Sequence, residues 1–429
     1  MRKVLLFVLC VWSLASVCAQ NVRDQLKRDF LKAGSNYYAY QGPTHELTPP
    51  PAGEKPFYLS SYARHGSRYL INEKDYKDPY MVLLKAHNLG KLSRLGEKAF
   101  EELGLLYDEA KDRYGDLTPL GATQHRQIAQ RMYDRFPEVF KGNAMVEAKS
   151  TVVIRCILSM QNELLQLAKN NPRLIFNSDA SQHDMYYMNL QDSALYKKRY
   201  SQKTREVYSE FCNRYGVHVP AMKKLFNDTA YFNHEIDAFI LNRDIFKVAS
   251  SVQGTEMRYH FNLFDVYTPD ELYSNWLQAN CFWFLSFGCN PYNGAQQPYT
   301  QRHLLRRIIE DADSCIYRPH PGATLRFGHE TIILPLTCLL DLNGYGREIT
   351  DMERLDLDGW INFEVFPMAA NIQFVFYRKN KNDRDVIFKV LLNENEATLP
   401  LPSDMAPYYR WSDFREKYLK KLDSYVLAP

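Results

Sequence analysis

Residues 62–68, YARHGSR, set Arg64, His65 and Arg68 directly after the apolar run FYLSSY. Arginine is permanently charged and carries a planar fork of donors that fits phosphate oxygens. Two arginines in one short loop repel each other unless an anion lies between them. Each charge-assisted hydrogen bond to that anion contributes about 1.5–3 kcal/mol before desolvation. Gly66 lets backbone and ligand approach closely. Two roles are open to His65. It can donate a hydrogen bond to the anion, or it can use an unprotonated ring nitrogen to attack phosphorus and become a phosphohistidine.

Two later clusters supply what that chemistry still lacks. In STVVIRCILSM, Arg155 stands where a β-rich run passes into a helical pattern. Helix N-termini favour anions through free N–H groups and the macrodipole. In RFGHETIILPL, His329 is a further donor and Glu330 an adjacent carboxyl. Cleaving a phosphoester needs a proton for the leaving alcohol and then a base for water, and one carboxyl can serve both steps. Repulsion from a bound phosphate would raise the pKa of that carboxyl and keep it protonated.

The elements that must bring these clusters together can be read from periodicity. The run at 57–62 is short, aromatic and apolar, as a buried strand is. Helical spacing covers 85–108 and 121–136; in the second, Ile128, Met132 and Phe136 recur every four positions, and Thr118-Pro119 ahead of it reads as an N-cap with proline at the first helical position. STVVI at 150–154 reads as a strand leading into a helix. From 181 to 314 aromatic-rich helical patterns dominate, and strand-like runs return at 324–329, 359–366, 372–379 and 385–393. The tail SDFREKYLKK reads as a helix behind a capping serine, with Glu416 and Lys420 as a surface pair. Strands alternating with helices at both ends of the chain predict an α/β fold: a mainly parallel sheet flanked by helices, with an inserted helical lobe capping the active site. The core domain is expected over 20–180 and 315–429, and the mainly helical insert over 181–314. Ligands in such sheets bind beyond the carboxyl ends of the strands. All three polar clusters follow strand candidates, so they are expected at one edge.

Bulk properties bound the partners. A chain of 429 residues with net charge +3 is long enough for a large core and a second lobe, and its near-balanced charge does not point to nucleic acid or a membrane surface. Arg2 and Lys3, an apolar stretch too short to span a bilayer, and V-C-A at 17–19 read as a secretory signal over residues 1–19. No membrane span is expected, and the mature protein is expected in the periplasm or outside the cell. Six of the eight cysteines follow the signal, which permits disulfides in an exported protein, with Cys281 and Cys289 the nearest pair. There is no CxxC pair and no HExxH spacing, so neither metal nor cofactor is expected.

Taken together, these motifs resemble the histidine phosphatase superfamily, in the branch holding histidine acid phosphatases, phytases and multiple inositol polyphosphate phosphatases. The family's RHGxRxP stands here as RHGSRYL, and its later arginine pattern matches Arg155 in RCILSM. LTPLGATQHRQIAQRM is similar to the family's LTxxG helix start. GHETIILPL, MAANIQFVFYR and VLLNE are similar to the inositol polyphosphate group. The resemblance implies a two-step mechanism in which His65 is the nucleophile. Arg64, Arg68, Arg155 and His329 would hold the phosphoryl oxygens, and Glu330 would act as acid and then base. Arg68 argues against the phosphoglycerate mutase branch, which lacks it. Two positions depart from the pattern. Leu70 replaces the motif's proline, with an effect expected on loop stiffness alone. Glu330 follows His329 directly, where the family has His-Asp or His-Ala-Glu, and a carboxyl displaced by over an ångström can cost about a hundredfold in rate.

The implied substrate is a small phosphomonoester, with inositol hexakisphosphate the leading candidate. The alternatives are a broad acid or sugar-phosphate phosphatase, and a protein that captures phosphorylated ligands without turning them over. A polyphosphorylated ring calls for extra cations, for which Lys74, Lys77 and the stretch from Arg302 to Arg307 are candidates.

Overall fold

The computed structural model describes residues 22–190 and 192–427. The signal read over 1–19 lies outside the described residues. Eight strands, β1 (Lys55–Arg64), β2 (Met145–Ser150), β3 (Ile175–Asp179), β4 (Gly322–Gly328), β5 (Asn371–Arg378), β6 (Ile387–Leu392), β7 (Asn395–Ala397) and β8 (Tyr409–Arg410), form one sheet. The order is β3-β2-β4-β1-β5-β6-β7, with β8 paired to β6. Strands β3, β2, β4 and β1 run parallel, and β5 turns back against β1 to begin an antiparallel half. This is the α/β class read from the sequence, and the parallel half carries the polar clusters.

Helices form the crossovers. Between β1 and β2 lie α1 (Glu73–Asn88), α2 (Arg94–Ala110) and α3 (Pro119–Arg135), and α4 (Ile154–Asn170) joins β2 to β3. Between β3 and β4 the described residues contain no strand; α5 (Ala238–Val252), α6 (Pro269–Phe287) and α7 (Arg302–Ile316) are the three longest helices there. Strand β1 alternates across two cores. Leu59 and Ala63 belong to the core that holds Ile128 and Met132 of α3 and Leu167 of α4, whereas Tyr58 and Tyr62 belong to the core that holds Trp276 of α6 and Ile309 of α7. Strands β1 and β4 are buried on both faces, so their polar residues Ser60, Ser61, Thr324 and Arg326 are buried along with the apolar ones. Among the described residues no helix is long and apolar enough to cross a membrane.

Several local expectations are corrected. The helix read over 85–108 is two helices, broken at Gly90 (φ +65°) and restarted by Ser93, whose side chain accepts from Gly96 N–H. The strand read at 150–154 lies earlier: β2 is MVEAKS, whose buried positions alternate, and Val152 is exposed in the turn before α4. The strand read at 359–366 is a loop with the short helix Asn362–Val365. Its backbone bonds a side chain instead of a neighbouring strand, Asn362 N–H donating to Asn280 Oδ1 at 3.0 Å. Ser412 lies inside the last helix, α8 by position before it being Glu330–Leu340 and α9 being Trp411–Asp423; Arg410, not serine, holds the N-cap position. Cys281 and Cys289 are not bridged; all six described cysteines are free. Helix α6 buries Cys281 within electrostatic range of Cys212, while Cys289, past the helix end, lies within range of Cys338.

Candidate active site

Register puts the three clusters side by side. Arg64 pairs with Gly328 across β1 and β4, and Ser150 with Phe327 across β2 and β4, so His65, Thr151 and His329 leave the sheet at one edge. The rings of His65 and His329 lie edge to face with centroids 5.7 Å apart. Glu330 opens α8, and its Oε2 is 3.0 Å from Arg64 Nε and 3.7 Å from His65 Nε2. Arg155 is the second residue of α4. The six residues singled out in the sequence therefore share one site.

The loop after β1 is held by α3 and α4. A Cβ on Gly66 would lie 2.4 Å from Gly121 O, and one on Gly121 would lie 2.2 Å from Ser67 O. The room at Gly66 is thus taken by the first turn of α3, not by ligand. Thr118 caps α3 by accepting from Gly121 N–H and donates its hydroxyl to Ser67 O at 3.1 Å. Gly66 N–H donates to Ser159 Oγ at 3.1 Å and Ser67 N–H to Gln124 Oε1 at 2.9 Å. Leu70 does more than relax the loop. It is fully buried, and its N–H, which proline lacks, donates to the Tyr76 hydroxyl at 2.7 Å.

The tautomer of His65 follows from its neighbour. Its Nδ1 lies 2.9 Å from Gly66 O, and a carbonyl can only accept, so Nδ1 carries the hydrogen and Nε2 the lone pair. Nε2 is buried and has no hydrogen-bond partner among the described residues. Burial, then Arg64, Arg155, Arg68 and His329, holds the ring's pKa well below 6.5 and keeps it neutral. His329, which has Thr151 Oγ1 3.2 Å from its Nε2, is held down to about 4, chiefly by burial.

The cations are only partly satisfied. Arg64 donates Nη1–H to Asn36 O and Phe366 O at 2.5 and 2.8 Å; Nη2 has no hydrogen-bond acceptor among the described residues, and Nε meets Glu330 Oε2 as an ion pair outside hydrogen-bond geometry. Arg68 donates Nη1–H to Tyr69 O and lies over the Tyr37 ring, with Nε unmatched; Arg155 Nε is likewise unmatched. Burial pulls Arg64 down to about 10, with Arg68 and Arg155 acting in the same direction against Glu330. Burial pushes Glu330 up, but Arg64, Arg68 and His329 outweigh it and hold the carboxyl at about 2. The rise read from the sequence belongs to a phosphate-bound site; the protein's own groups drive Glu330 the other way. His65, His329 and Glu330 bring ligand atoms within 4.8 Å of one another, a spacing that could hold a cation. Three guanidinium groups around them give the field the sign that favours an anion.

Most of the extra cations expected for a polyphosphorylated ring are paired with carboxylates. Lys74 and Lys77 are exposed on α1, and Lys77 meets Glu73 at 3.2 Å. Arg302 pairs with Asp192, Arg306 with Asp423 and Arg307 with Asp311. Arg199, which the sequence reading passed over, has no carboxylate partner among the described residues and stacks on Tyr196, Tyr200 and Phe287. It lines a cavity of about 90 Å³ with Gln297, Gln301 and Thr331, the residue after Glu330. Also passed over were His125 and Glu163, a buried pair under the loop. Each interrupts an apolar helical stripe: His125 precedes Ile128, Ala129 and Met132 on α3, and Glu163 sits between Met160 and Leu167 on α4. A polar side chain on a core-facing stripe was the available signal.

The family model of the histidine phosphatase superfamily (branch 2) matches residues 61–393. No curated protein matches the chain. Among solved structures, the multiple inositol polyphosphate phosphatase of Bifidobacterium longum in its apo form is similar, with TM-score 0.70 and 17% identity over 90% of this chain and 97% of that one. The same enzyme in complex with inositol hexasulfate gives TM-score 0.68 at 16% identity, with the same coverage. The phytase from D. castellii gives TM-score 0.68 at 15% identity over 92% of this chain and 85% of that one. At these identities the likeness speaks for the fold.

Proposed function

This chain belongs to branch 2 of the histidine phosphatase superfamily and is a phosphoric monoester hydrolase, and on that premise we propose that it dephosphorylates inositol polyphosphates through a phosphohistidine at His65. The observation that carries the mechanism is the buried, unpartnered Nε2 of a neutral His65, faced by Glu330 and surrounded by Arg64, Arg68 and Arg155. In the first step the guanidinium groups and His329 hold the phosphoryl oxygens, the Nε2 lone pair attacks phosphorus, and the ester P–O bond breaks. The leaving oxygen takes a proton from Glu330. In the second step Glu330 takes a proton from water, the oxygen attacks phosphorus and the N–P bond breaks, releasing phosphate.

Glu330 must leave Arg64 to do this. A phosphate dianion among the arginines offsets the charge that holds the carboxyl at about 2, so binding itself moves Glu330 toward its protonated form. The substrate class draws support from the similar folds, one of them bound to inositol hexasulfate. The neutralised Arg302, Arg306, Arg307 and Lys77 favour a second reading, a sugar-phosphate phosphatase that needs fewer cations. The basic start and short apolar stretch over 1–19 support export to the periplasm or beyond. A product profile from inositol hexakisphosphate tests the substrate. Successive lower inositol phosphates support the first reading; release of phosphate from sugar phosphates alone supports the second. Acid-labile, base-stable labelling of the wild type and none of His65→Ala tests the intermediate.

A further inference from the structure

We infer that His125, itself oriented by Glu163, is a positioning residue for His65. Both side chains are fully buried, at 0% and 1% exposure. His125 Nε2 lies 3.1 Å from the carbonyl oxygen of Arg64 and its Nδ1 2.9 Å from Glu163 Oε2. The carbonyl can only accept, so Nε2 carries a hydrogen and donates it. The pair then shares one proton on the Glu163 side, as imidazolium and carboxylate or as imidazole and carboxylic acid. Both hydrogen bonds survive in either form.

The peptide that receives this bond joins Arg64 to His65. Its N–H, on His65, donates to Gly328 O at 2.9 Å, so the peptide is gripped from β4 on one side and from α3 on the other. Rotation of that plane would carry the His65 ring with it. Burying two ionisable groups in a core is costly compared with apolar side chains of similar volume. Here the cost is met at the one peptide that aims the nucleophile. Glu163 belongs to α4, the helix whose first turn holds Arg155, so the same pair ties the nucleophile's loop to the helix bearing a phosphate-binding arginine.

The guanidinium of Arg64 is anchored separately, by Asn36 O and Phe366 O. Loss of His125 should therefore loosen the nucleophile while sparing the anion cradle, a split that a purely structural role would not produce. The inference rests on His65 as the nucleophile. The experiment compares kcat for p-nitrophenyl phosphate, the inhibition constant of inorganic phosphate and thermal unfolding in four variants. His125→Phe should lower kcat by about 10- to 100-fold, the scale of a misplacement near 1 Å, with phosphate inhibition changed by less than about threefold. His125→Gln, whose side-chain N–H reaches the same carbonyl, should recover most of kcat. If the phenylalanine variant does not fold, His125→Asn, which reaches Glu163 but not the carbonyl, takes its place. Retained kcat in the deficient variant, parallel losses of kcat and phosphate binding, or no recovery with glutamine would each overturn the inference. His65→Ala separates the two levels: activity surviving there defeats the nucleophile assignment, whereas a dead His65→Ala beside a fully active His125→Phe defeats only the positioning role.

Discussion

Replacing Glu330 by glutamine separates two jobs of one carboxylate. Its oxygen lies 3.0 Å from Arg64 Nε and 3.7 Å from His65 Nε2, a place that a phosphoryl oxygen must take when substrate binds. The fall of its pKa from 4.5 to about 2 corresponds to about 3 kcal/mol favouring the charged form. An arriving phosphate must displace that interaction. Abolishing the charge would tighten phosphate binding by about 300-fold at most. The displaced carboxylate keeps part of its attraction to the arginines, so about a tenfold gain is expected. Titration calorimetry with inorganic phosphate at pH 6 on wild type and Glu330→Gln measures it. Turnover should fall at the same time, most for substrates with poor leaving groups. The linkage has a definite sign. A depressed carboxyl pKa stabilises the fold above the unfolded value of 4.5, and that stabilisation is lost as pH falls toward about 2. Glu330→Gln should therefore be less stable than wild type at pH 6, and the gap should close between about pH 4.5 and 2 and also on adding phosphate. Phosphate binding that is unchanged or weaker in the variant refutes the claim that Glu330 occupies the anion's place.

Other perturbations test other parts of the site. His65→Ala should abolish turnover and keep phosphate binding within about tenfold by calorimetry, since the guanidinium set supplies most of the charge-assisted bonds. Arg199→Ala should raise KM for a multiply phosphorylated ring by about 10-fold, the scale of one hydrogen bond to a charged group, and leave KM for p-nitrophenyl phosphate unchanged. Equal effects on both substrates would place Arg199 outside the substrate's reach. Leu70→Pro, which restores the family's residue, should destabilise this protein by about 1–3 kcal/mol in urea unfolding, because the donor to the Tyr76 hydroxyl is lost.

Much of the site could be read in advance because its residues sit at strand ends. A strand followed by a polar residue at its carboxyl end is a local pattern, and β1 and β4 each carry one, whereas Arg155 sits in the first turn of α4, beyond the turn that follows β2. The misread elements failed where local propensity met a competing demand. Val152 and Val153 are good strand formers, yet β2 had already paired through Ser150 and the chain had turned toward α4. The run at 359–366 is apolar enough for a strand, but Asn280 takes its backbone donor. The cations at 302–307 look like a basic patch in one dimension. Their carboxylates, Asp192, Asp311 and Asp423, come from other elements or another turn of the helix.

The residue types and their order along the chain determined by themselves a candidate anion site, a nucleophile candidate, the family and the α/β class, because these depend on short motifs and periodicity. Only the folded chain decided which lone pair His65 presents, where Glu330 rests, why Gly66 must be glycine, and that His125 and Glu163 lie beneath the loop that carries His65. Each of those depends on distance between segments remote in sequence, and electrostatics and packing act through distance, not through order.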